Sequence, residues 1–270
     1  MSFLLSEAAN TLQILQISYF LPISRQKKFP KLKHITLYAF DLWPAFQGTS
    51  SFINNGRRRK KVNNAGVLGA NADPDAFNAA VAMEIKGINV DWSKIWSQNY
   101  ELAEAAVRTN YYGAKALSQI LIPLLQLSES PKIINISSIL GKLERLPDGW
   151  AKEVLSDVEN LTEEKIDDVL NRFLEDMKEN SLETKGWPAY LSGYMVSRVA
   201  SNGYTRILAK KQKSFCINAY HPGFVKTDMT YNAGKVTADE GAQGAVRLAL
   251  LPNASSPSGL FFRGNEEFSF

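Results

Sequence analysis

The sequence holds very little of the chemistry that builds disulfide frameworks and metal centres. It has one cysteine, Cys216, and two histidines among 270 residues. A single cysteine excludes an internal disulfide and fits a reducing compartment, so we expect a cytoplasmic protein. One thiol and two imidazoles leave too few ligands for a zinc site, and we expect no metal in the mechanism.

Acidic residues are scarce in one part of the chain only. Residues 1–62 contain ten lysines and arginines but only two acids, Glu7 and Asp41, a balance of +8. The remaining residues hold 21 basic and 25 acidic groups, which brings the whole chain to its net charge of +4. Because the larger part is mildly acidic, it does not favour nucleic acid as a partner.

The apolar segment TLQILQISYFLPI (11–23) is interrupted by Gln13 and Gln16. It is too short to cross a bilayer, and no positive residue precedes it as a secretory signal would require. We therefore expect a buried strand or helix there, and no membrane partner.

From residue 63 onward, helical and extended patterns alternate. Apolar spacing predicts helices over 103–125, 194–211 and 237–251 and strands over 132–138 and 215–223, and Thr237 with Glu240 forms a capping box. This alternation predicts an α/β fold with a Rossmann-like, doubly wound parallel sheet in a single domain. Ligands bind beyond the carboxyl ends of such strands, where NISS (135–138) and HPGFVKTD (221–228) lie.

The connection over residues 139–193 is unusually long. It contains TEEKIDDVLNRFLEDMKEN (162–180), in which the apolar residues fall on one helical stripe and Thr162 can cap the start. We expect an amphipathic helix packed on the domain. Its predicted buried stripe is Ile166, Val169, Leu170, Phe173, Leu174 and Met177.

Four motifs follow one another: NNAG (63–66), TNYYG (109–113), NISS (135–138), and Tyr194 with Arg198 four residues later. In this order and spacing they resemble the short-chain dehydrogenase/reductase superfamily. KGWPAYLSGYMVSR (185–198), FCINAYHPGFVKTDM (215–229) and SPSGLFF (256–262) resemble its plant branch of monomeric carbonyl reductases. The resemblance predicts an atypical segment over 1–62 and a reductase-like domain over 63–270, with 139–193 as a helical insertion.

The resemblance implies NADPH-dependent reduction of a carbonyl on an apolar small molecule, or the reverse alcohol oxidation. Tyr194 would donate the proton, Ser138 would bind the carbonyl oxygen, and Asn110 would hold a water of the proton relay. An adjacent cation favours the ionised form of a phenol. The cofactor NADP would be contacted by Asp41, Asn64, Tyr194, Arg198, Val225, Lys226 and Thr227. Asn63 is expected to be structural, and His221 receives no role.

Two departures from the family pattern concern the cofactor. Arg198 stands where the family has a lysine that holds the ribose hydroxyls; arginine keeps the charge but is larger, planar and never deprotonated. We therefore expect reduced turnover. The family also opens with a glycine-rich turn that binds the pyrophosphate, whereas residues 1–62 contain only Gly48 and Gly56, neither in such a motif.

GRRRKKV (56–62) stands where the family has an apolar central strand. Burying five consecutive cations without partners carries a large desolvation cost, so we expect a solvated loop. A nuclear-localisation patch is the alternative. LKHITLYAFDL (32–42) predicts one strand. We expect the normal first βαβ unit to be missing, as in a truncated or misassembled gene product.

Other interpretations stay open on the residues alone. Asn110 and Ser138 are also compatible with a solvated helix position and a strand end, and Tyr194 with plain packing. Instead of an active reductase, the chain is compatible with a vestigial binding protein that no longer holds dinucleotide. A basic protein associated with nucleic acid is a third possibility, resting on the N-terminal charge. We expect a monomer, because the insertion resembles the element that covers the family's usual oligomer surface.

Overall fold

The computed structural model describes residues 34–37, 50–55, 58–252 and 256–270. Strands in these residues form one sheet, in spatial order β1 to β7: His34–Leu37, Ser50–Asn55, Arg58–Asn63, Lys132–Ile136, Cys216–His221, Phe261–Arg263 and Glu266–Phe268. The strands β3, β4, β5 and β6 run parallel, while β1, β2 and β7 pair antiparallel at the edges. The predicted α/β class with a parallel central sheet is confirmed.

Helices are present within the ranges predicted, 103–125, 162–180, 194–211 and 237–251, and the structure adds Pro74–Ile85 and Trp150–Ser156, which were not predicted. The helices are α1 (Pro74–Ile85), α2 (Tyr100–Val107), α3 (Ala114–Leu125), α4 (Trp150–Ser156), α5 (Glu163–Lys178), α6 (Ser192–Lys211) and α7 (Ala238–Leu250). A π-helical segment, Arg108–Gly113, joins α2 to α3. Thr237 and Glu240 form the predicted capping box of α7. None of the helices in the described ranges has the length and hydropathy of a membrane span.

Helices cover both faces of the sheet because neighbouring strand residues point to opposite sides. Ile133 belongs to a core shared with α2, α3, α5 and α6, whereas Ile134 packs with Tyr220 and with Leu248 of α7. The strands β3, β4 and β5 are parallel neighbours between these two helical layers. Their carboxyl ends therefore lie at one edge of the sheet, which we call the carboxyl edge.

The predicted helix of the long connection is present as α5. Thr162 caps it by accepting the Lys165 amide at 3.3 Å. Its apolar stripe is buried against α2 and α6, with Leu174 partly buried. Lys115 of α3 adds an ion pair of 2.8 Å to Asp167. The helix prediction and its stripe are confirmed.

The prediction of a solvated loop over the basic run is wrong for residues 58–61. These residues form the first part of β3, a central strand that pairs with β2 on one side and β4 on the other. Lys61 lies opposite Ile133, is fully buried, and its Nζ has no hydrogen-bond partner among the described residues. Desolvation lowers its pKa well below the usual value. The lysine thus avoids the cost of a buried charge by favouring the neutral amine.

Some predictions concern residues outside the described ranges. The segment 11–23, Asp41 and both glycines of the first 62 residues lie outside the described residues. The strand predicted within 32–42 is present as β1. The boundary at residue 62 and the missing βαβ unit stay predictions.

Candidate active site

A ladder of buried polar side chains crosses the carboxyl edge of the sheet. Asn63, at the end of β3, donates to Asn135 of β4 at 2.6 Å and to Ser118 of α3 at 3.1 Å. Asn135 in turn donates to Thr205 of α6 at 2.8 Å. These bonds fix two strands and two helices relative to each other, which agrees with a structural role for Asn63.

Helix α6 presents Tyr194 and Arg198 to this edge. The four-residue spacing places both side chains on one face, and the guanidinium carbon of Arg198 lies 5.2 Å from the ring centroid of Tyr194. The Tyr194 ring is buried in an apolar cluster that includes Leu140 and Phe224, from the loops after β4 and β5. The tyrosine and its cation are therefore next to each other at the edge where ligands bind in this class of sheet.

Close helix packing brings α6 to this position. Gly193 lies against α2 so tightly that a Cβ at this residue would be 2.8 Å from the Cα of Ala103. Side chains larger than glycine would force the two helices apart. The residue next to Tyr194 thus holds the tyrosine close to α2 and the π-helical segment.

Asn110 lies in the π-helical segment, a distortion that is common at functional sites. Its Oδ1 accepts the Val67 amide and its Nδ2 donates to the Val67 carbonyl, both at 2.9 Å. The same Nδ2 donates to Ser197 of α6 at 2.9 Å. Its side chain therefore clamps the loop after NNAG to α6, and the relay water expected at Asn110 stays a prediction.

The two serines after β4 have different surroundings. Ser137 donates to Asn202 of α6 at 2.7 Å, which makes it part of the packing between strand and helix. Ser138 Oγ accepts the Leu140 amide at 3.2 Å and caps the short turn that follows. This bond leaves the Ser138 hydroxyl hydrogen available for another acceptor. Among the described residues no acceptor is recorded for the Ser138 hydroxyl, and its expected role at the carbonyl stays a prediction.

The loop after β5 is fixed by its own hydrogen bonds. Lys226 donates its amide to Val236 at 2.8 Å, and Thr230 Oγ1 donates to the Val225 carbonyl at 2.7 Å and accepts the Thr227 amide at 3.2 Å. The Lys226 side chain is exposed, and so is Asn64, the first residue after β3. The structure thus places Asn64 and 225–227 at the edge that carries Tyr194. Asp41 lies outside the described residues.

Arg198 differs from the expectation in its contacts. Its Nη1 donates to the Ile136 carbonyl at 2.9 Å, and a Cβ at Gly66 would overlap Nη2. Nε has no hydrogen-bond partner among the described residues, and the whole side chain is 4% exposed. The guanidinium is therefore held between the end of β4 and the NNAG loop, where little of it reaches solvent.

Sequence reasoning missed an aromatic wall beside Tyr194. The ring of Phe77 lies 5.1 Å from that of Trp96 and 5.3 Å from that of Tyr231, measured between centroids. The Tyr231 hydroxyl accepts the Ala72 amide at 3.0 Å. This wall joins the loop after β5 to the segment after β3. The clustering of Phe77, Trp92 and Trp96 in the sequence was the available signal.

Comparison with known proteins identifies the family. The chain is 47% identical to (+)-neomenthol dehydrogenase of Arabidopsis thaliana over 209 residues, 77% of this chain and 69% of the relative. It is 46% identical to short-chain dehydrogenase/reductase 1 of Saponaria officinalis over 209 residues, 77% of this chain and 68% of the relative. The chain belongs to the short-chain dehydrogenase/reductase superfamily.

Structural comparison agrees with this family. The solved structure of salutaridine reductase from Papaver somniferum matches with a TM-score of 0.69 and 45% identity, over 74% of this chain and 71% of that chain. The search against protein-family models found no match. The named relatives of this short-chain dehydrogenase/reductase are dehydrogenases and reductases, so Tyr194 and its neighbours lie in the fold of an oxidoreductase family. The resemblance in the sequence motifs is confirmed.

Proposed function

We propose that this short-chain dehydrogenase/reductase reduces a carbonyl on an apolar small molecule with NADP(H), and that Tyr194 donates the proton. The observation that supports this most is the pair of Tyr194 and Arg198 at the carboxyl edge, with the guanidinium 5.2 Å from the phenol ring. Ser138 follows β4 at the same edge. A phenol, a hydroxyl donor and a cation can together supply the general acid and the oxyanion stabilisation that carbonyl reduction needs.

The residues at this edge fit the nicotinamide end of the cofactor. Asn64 directly follows β3 and the 225–227 loop follows β5 at the carboxyl edge, and these residues would hold that end. A bound cofactor would supply the hydride for the carbonyl carbon. The described residues contain no glycine-rich turn of the family's pattern, so we propose no residues for the pyrophosphate. Arg198, enclosed by protein, does not fit a role in binding ribose.

The protein side of the reaction then follows from three side chains. Ser138 donates its free hydroxyl hydrogen to the carbonyl oxygen and orients it. Tyr194 transfers its proton to that oxygen as negative charge develops there. The Arg198 guanidinium stabilises the charge left on the phenol, with an effect strengthened by the low local dielectric. No proton is routed through Arg198, because a guanidinium stays protonated.

The aromatic wall supports an apolar substrate. Phe77, Trp96 and Tyr231 form packed rings on one side of the cluster that contains Tyr194. Aromatic and aliphatic surroundings exclude water and favour compact hydrocarbon skeletons with few polar groups. We propose a cyclic ketone or secondary alcohol, the class to which the neomenthol of the Arabidopsis relative's name belongs.

A second candidate is a binding protein that has lost productive contact with dinucleotide. The enclosure of Arg198 between Ile136 and Gly66 favours it. Titration of purified protein with NADPH, followed by its fluorescence, separates the two candidates. Saturable binding in the micromolar range supports the reductase, and absence of binding by folded protein supports the second candidate.

Activity tests the role of Tyr194. We expect oxidation of (+)-neomenthol or a related cyclic alcohol with NADP⁺, followed by NADPH absorbance. Tyr194→Phe should lower the rate by about 10²- to 10⁴-fold, the usual contribution of a general acid. NADPH binding should change little, because the ring and its contact with Arg198 remain. Activity of Tyr194→Phe equal to that of the wild type would refute the role of the tyrosine.

A further inference from the structure

We infer that Ser97, Gln98 and Asn99, the 97–99 junction, position the catalytic groups, and that Gln98 positions Tyr194 by capping α6. The inference rests on the proposed function for its catalytic consequence. It concerns residues that carry no motif and lie far from Tyr194 in sequence. Three independent sets of hydrogen bonds meet at this junction.

The first set replaces the missing cap of α6. Leu191, the residue before the helix, has a left-handed backbone with φ of 46° and provides no side-chain cap. Instead, Gln98 Oε1 accepts the Ser192 amide at 3.0 Å and the Ser192 hydroxyl at 2.9 Å. The first amides of a helix have no partner within the helix, so an acceptor here stabilises the first turn. Tyr194 lies in that turn.

The second set orients the Gln98 amide. Its Nε2 donates to the Ala189 carbonyl at 3.4 Å, in the segment that leads into α6. The amide nitrogen therefore points to this segment and the amide oxygen to Ser192. Gln98 is half-buried, which limits the competition of water for both bonds. One side chain thus holds the turn before α6 and its first amide.

The third set connects the same junction to the other site elements. Asn99 caps α2 by accepting the Leu102 amide at 2.9 Å, and α2 leads to the π-helical segment with Asn110. Ser97 pairs with Asn71 through two main-chain bonds of 2.7 and 2.8 Å. Three consecutive residues therefore fix the loop after β3, the helix before Asn110 and the helix of Tyr194.

The expected consequence is geometric. The hydrogen bonds of Gln98 go to Ser192 and Ala189 and not to Tyr194, so it is a positioning residue. Loss of its acceptor frees the first turn of α6, and displacement of a catalytic group by about 1 Å can cost on the order of 100-fold in rate. We expect a smaller loss, because Gly193 still packs against Ala103.

The test compares Gln98→Ala, Gln98→Glu and the control Gln243→Ala, an exposed glutamine of α7 on the opposite face. The first readout is hydrogen exchange of the peptide spanning 190–198, which needs no substrate. Gln98→Ala should raise exchange there several-fold, and Gln98→Glu, which keeps the acceptor, should restore protection. Gln243→Ala should behave as the wild type. Unchanged exchange in Gln98→Ala would overturn the inference.

The second readout separates positioning from general stability. Gln98→Ala should lower kcat about tenfold with KM and the affinity for NADPH nearly unchanged, and Gln98→Glu should recover most of the rate. Raised exchange with unchanged kcat would overturn the positioning role. If the wild type neither binds NADPH nor turns over, the proposed function fails, and the exchange result still decides whether Gln98 caps α6.

Discussion

The guanidinium of Arg198 lies 5.2 Å from the ring of Tyr194 and also donates to the carbonyl of Ile136 at 2.9 Å. The second contact holds the cation at the end of β4, because Ile136 is the last residue of that strand. Gly66 closes another side, since a Cβ there would overlap Nη2. This enclosure keeps a positive charge beside the phenol and leaves little of the guanidinium exposed.

Arg198→Lys should therefore improve the enzyme. A lysine is a compact charge on a flexible stem and has no counterpart of Nη1 and Nη2, the atoms that Ile136 and Gly66 enclose. Its ammonium would be able to reach hydroxyl groups of a bound ribose. We expect a several-fold rise in kcat and tighter NADPH binding, measured by initial rates and fluorescence titration. Arg145→Lys, at an exposed arginine in a short turn, serves as the matched control. An unaltered rate in Arg198→Lys would show that the guanidinium is no handicap.

Lys61 gives a prediction on stability. Burial lowers the pKa of its fully buried amine well below the usual value, so the unfolded state binds a proton that the folded state holds less tightly. The free energy of unfolding therefore falls as pH drops below the ordinary lysine pKa of about 10.4. The fall is at most about 1.4 kcal/mol per pH unit and ends at the pKa of Lys61 in the folded state.

Lys61→Met keeps an unbranched side chain, shorter by one atom, and removes this titration. We expect a higher free energy of unfolding at pH 7, with an advantage over the wild type that shrinks as pH rises towards 10. Urea unfolding at several pH values measures it. Lys213→Met, at an exposed lysine, should change stability little at any pH. A constant or negative advantage of Lys61→Met across this pH range would contradict the prediction.

How far the sequence predicts this molecule depends on the range of the interactions. Helix α5 and the cap of α7 depend on local spacing, and both were predictable from Thr162, Thr237 and the apolar stripe. The burial of Lys61 was not, because pairing with β4 decides it and local charge argues against it. The contact of Gln98 with Ser192 spans 94 residues and involves no motif. Order and spacing of the motifs predicted Tyr194 and Ser138 as site residues, and their roles stay a proposal. The enclosure of Arg198 was not predictable, because it depends on packing against Gly66.

His221 predicts a loss of stability in acid. It is buried at the end of β5 opposite Arg263 of β6, and burial, helped by the charge of Arg263, lowers its pKa to about 4. The unfolded state takes up a proton near pH 6.5 and the folded state only near pH 4, so stability falls as pH decreases between these values. His221→Gln should flatten this part of the profile relative to the wild type in urea unfolding at pH 7, 6, 5 and 4. Parallel profiles for the two proteins would mean that His221 titrates normally.

The packing of α5 predicts a monomer. Its apolar stripe, including Val169 and Phe173, is buried against α2 and α6. By the sequence resemblance, the insertion that carries α5 is the element that covers the family's usual oligomer surface. Because that surface is already covered, sedimentation should give a single species of 30.1 kDa at all protein concentrations. Phe173→Asp places a charge in this contact and should cost several kcal/mol of stability or release α5 and cause self-association. Ile120→Lys, at an exposed residue of α3, is the control and should remain monomeric. A dimer of the wild type that persists on dilution would contradict the prediction, because two copies would then have to meet on a surface other than the one that α5 covers.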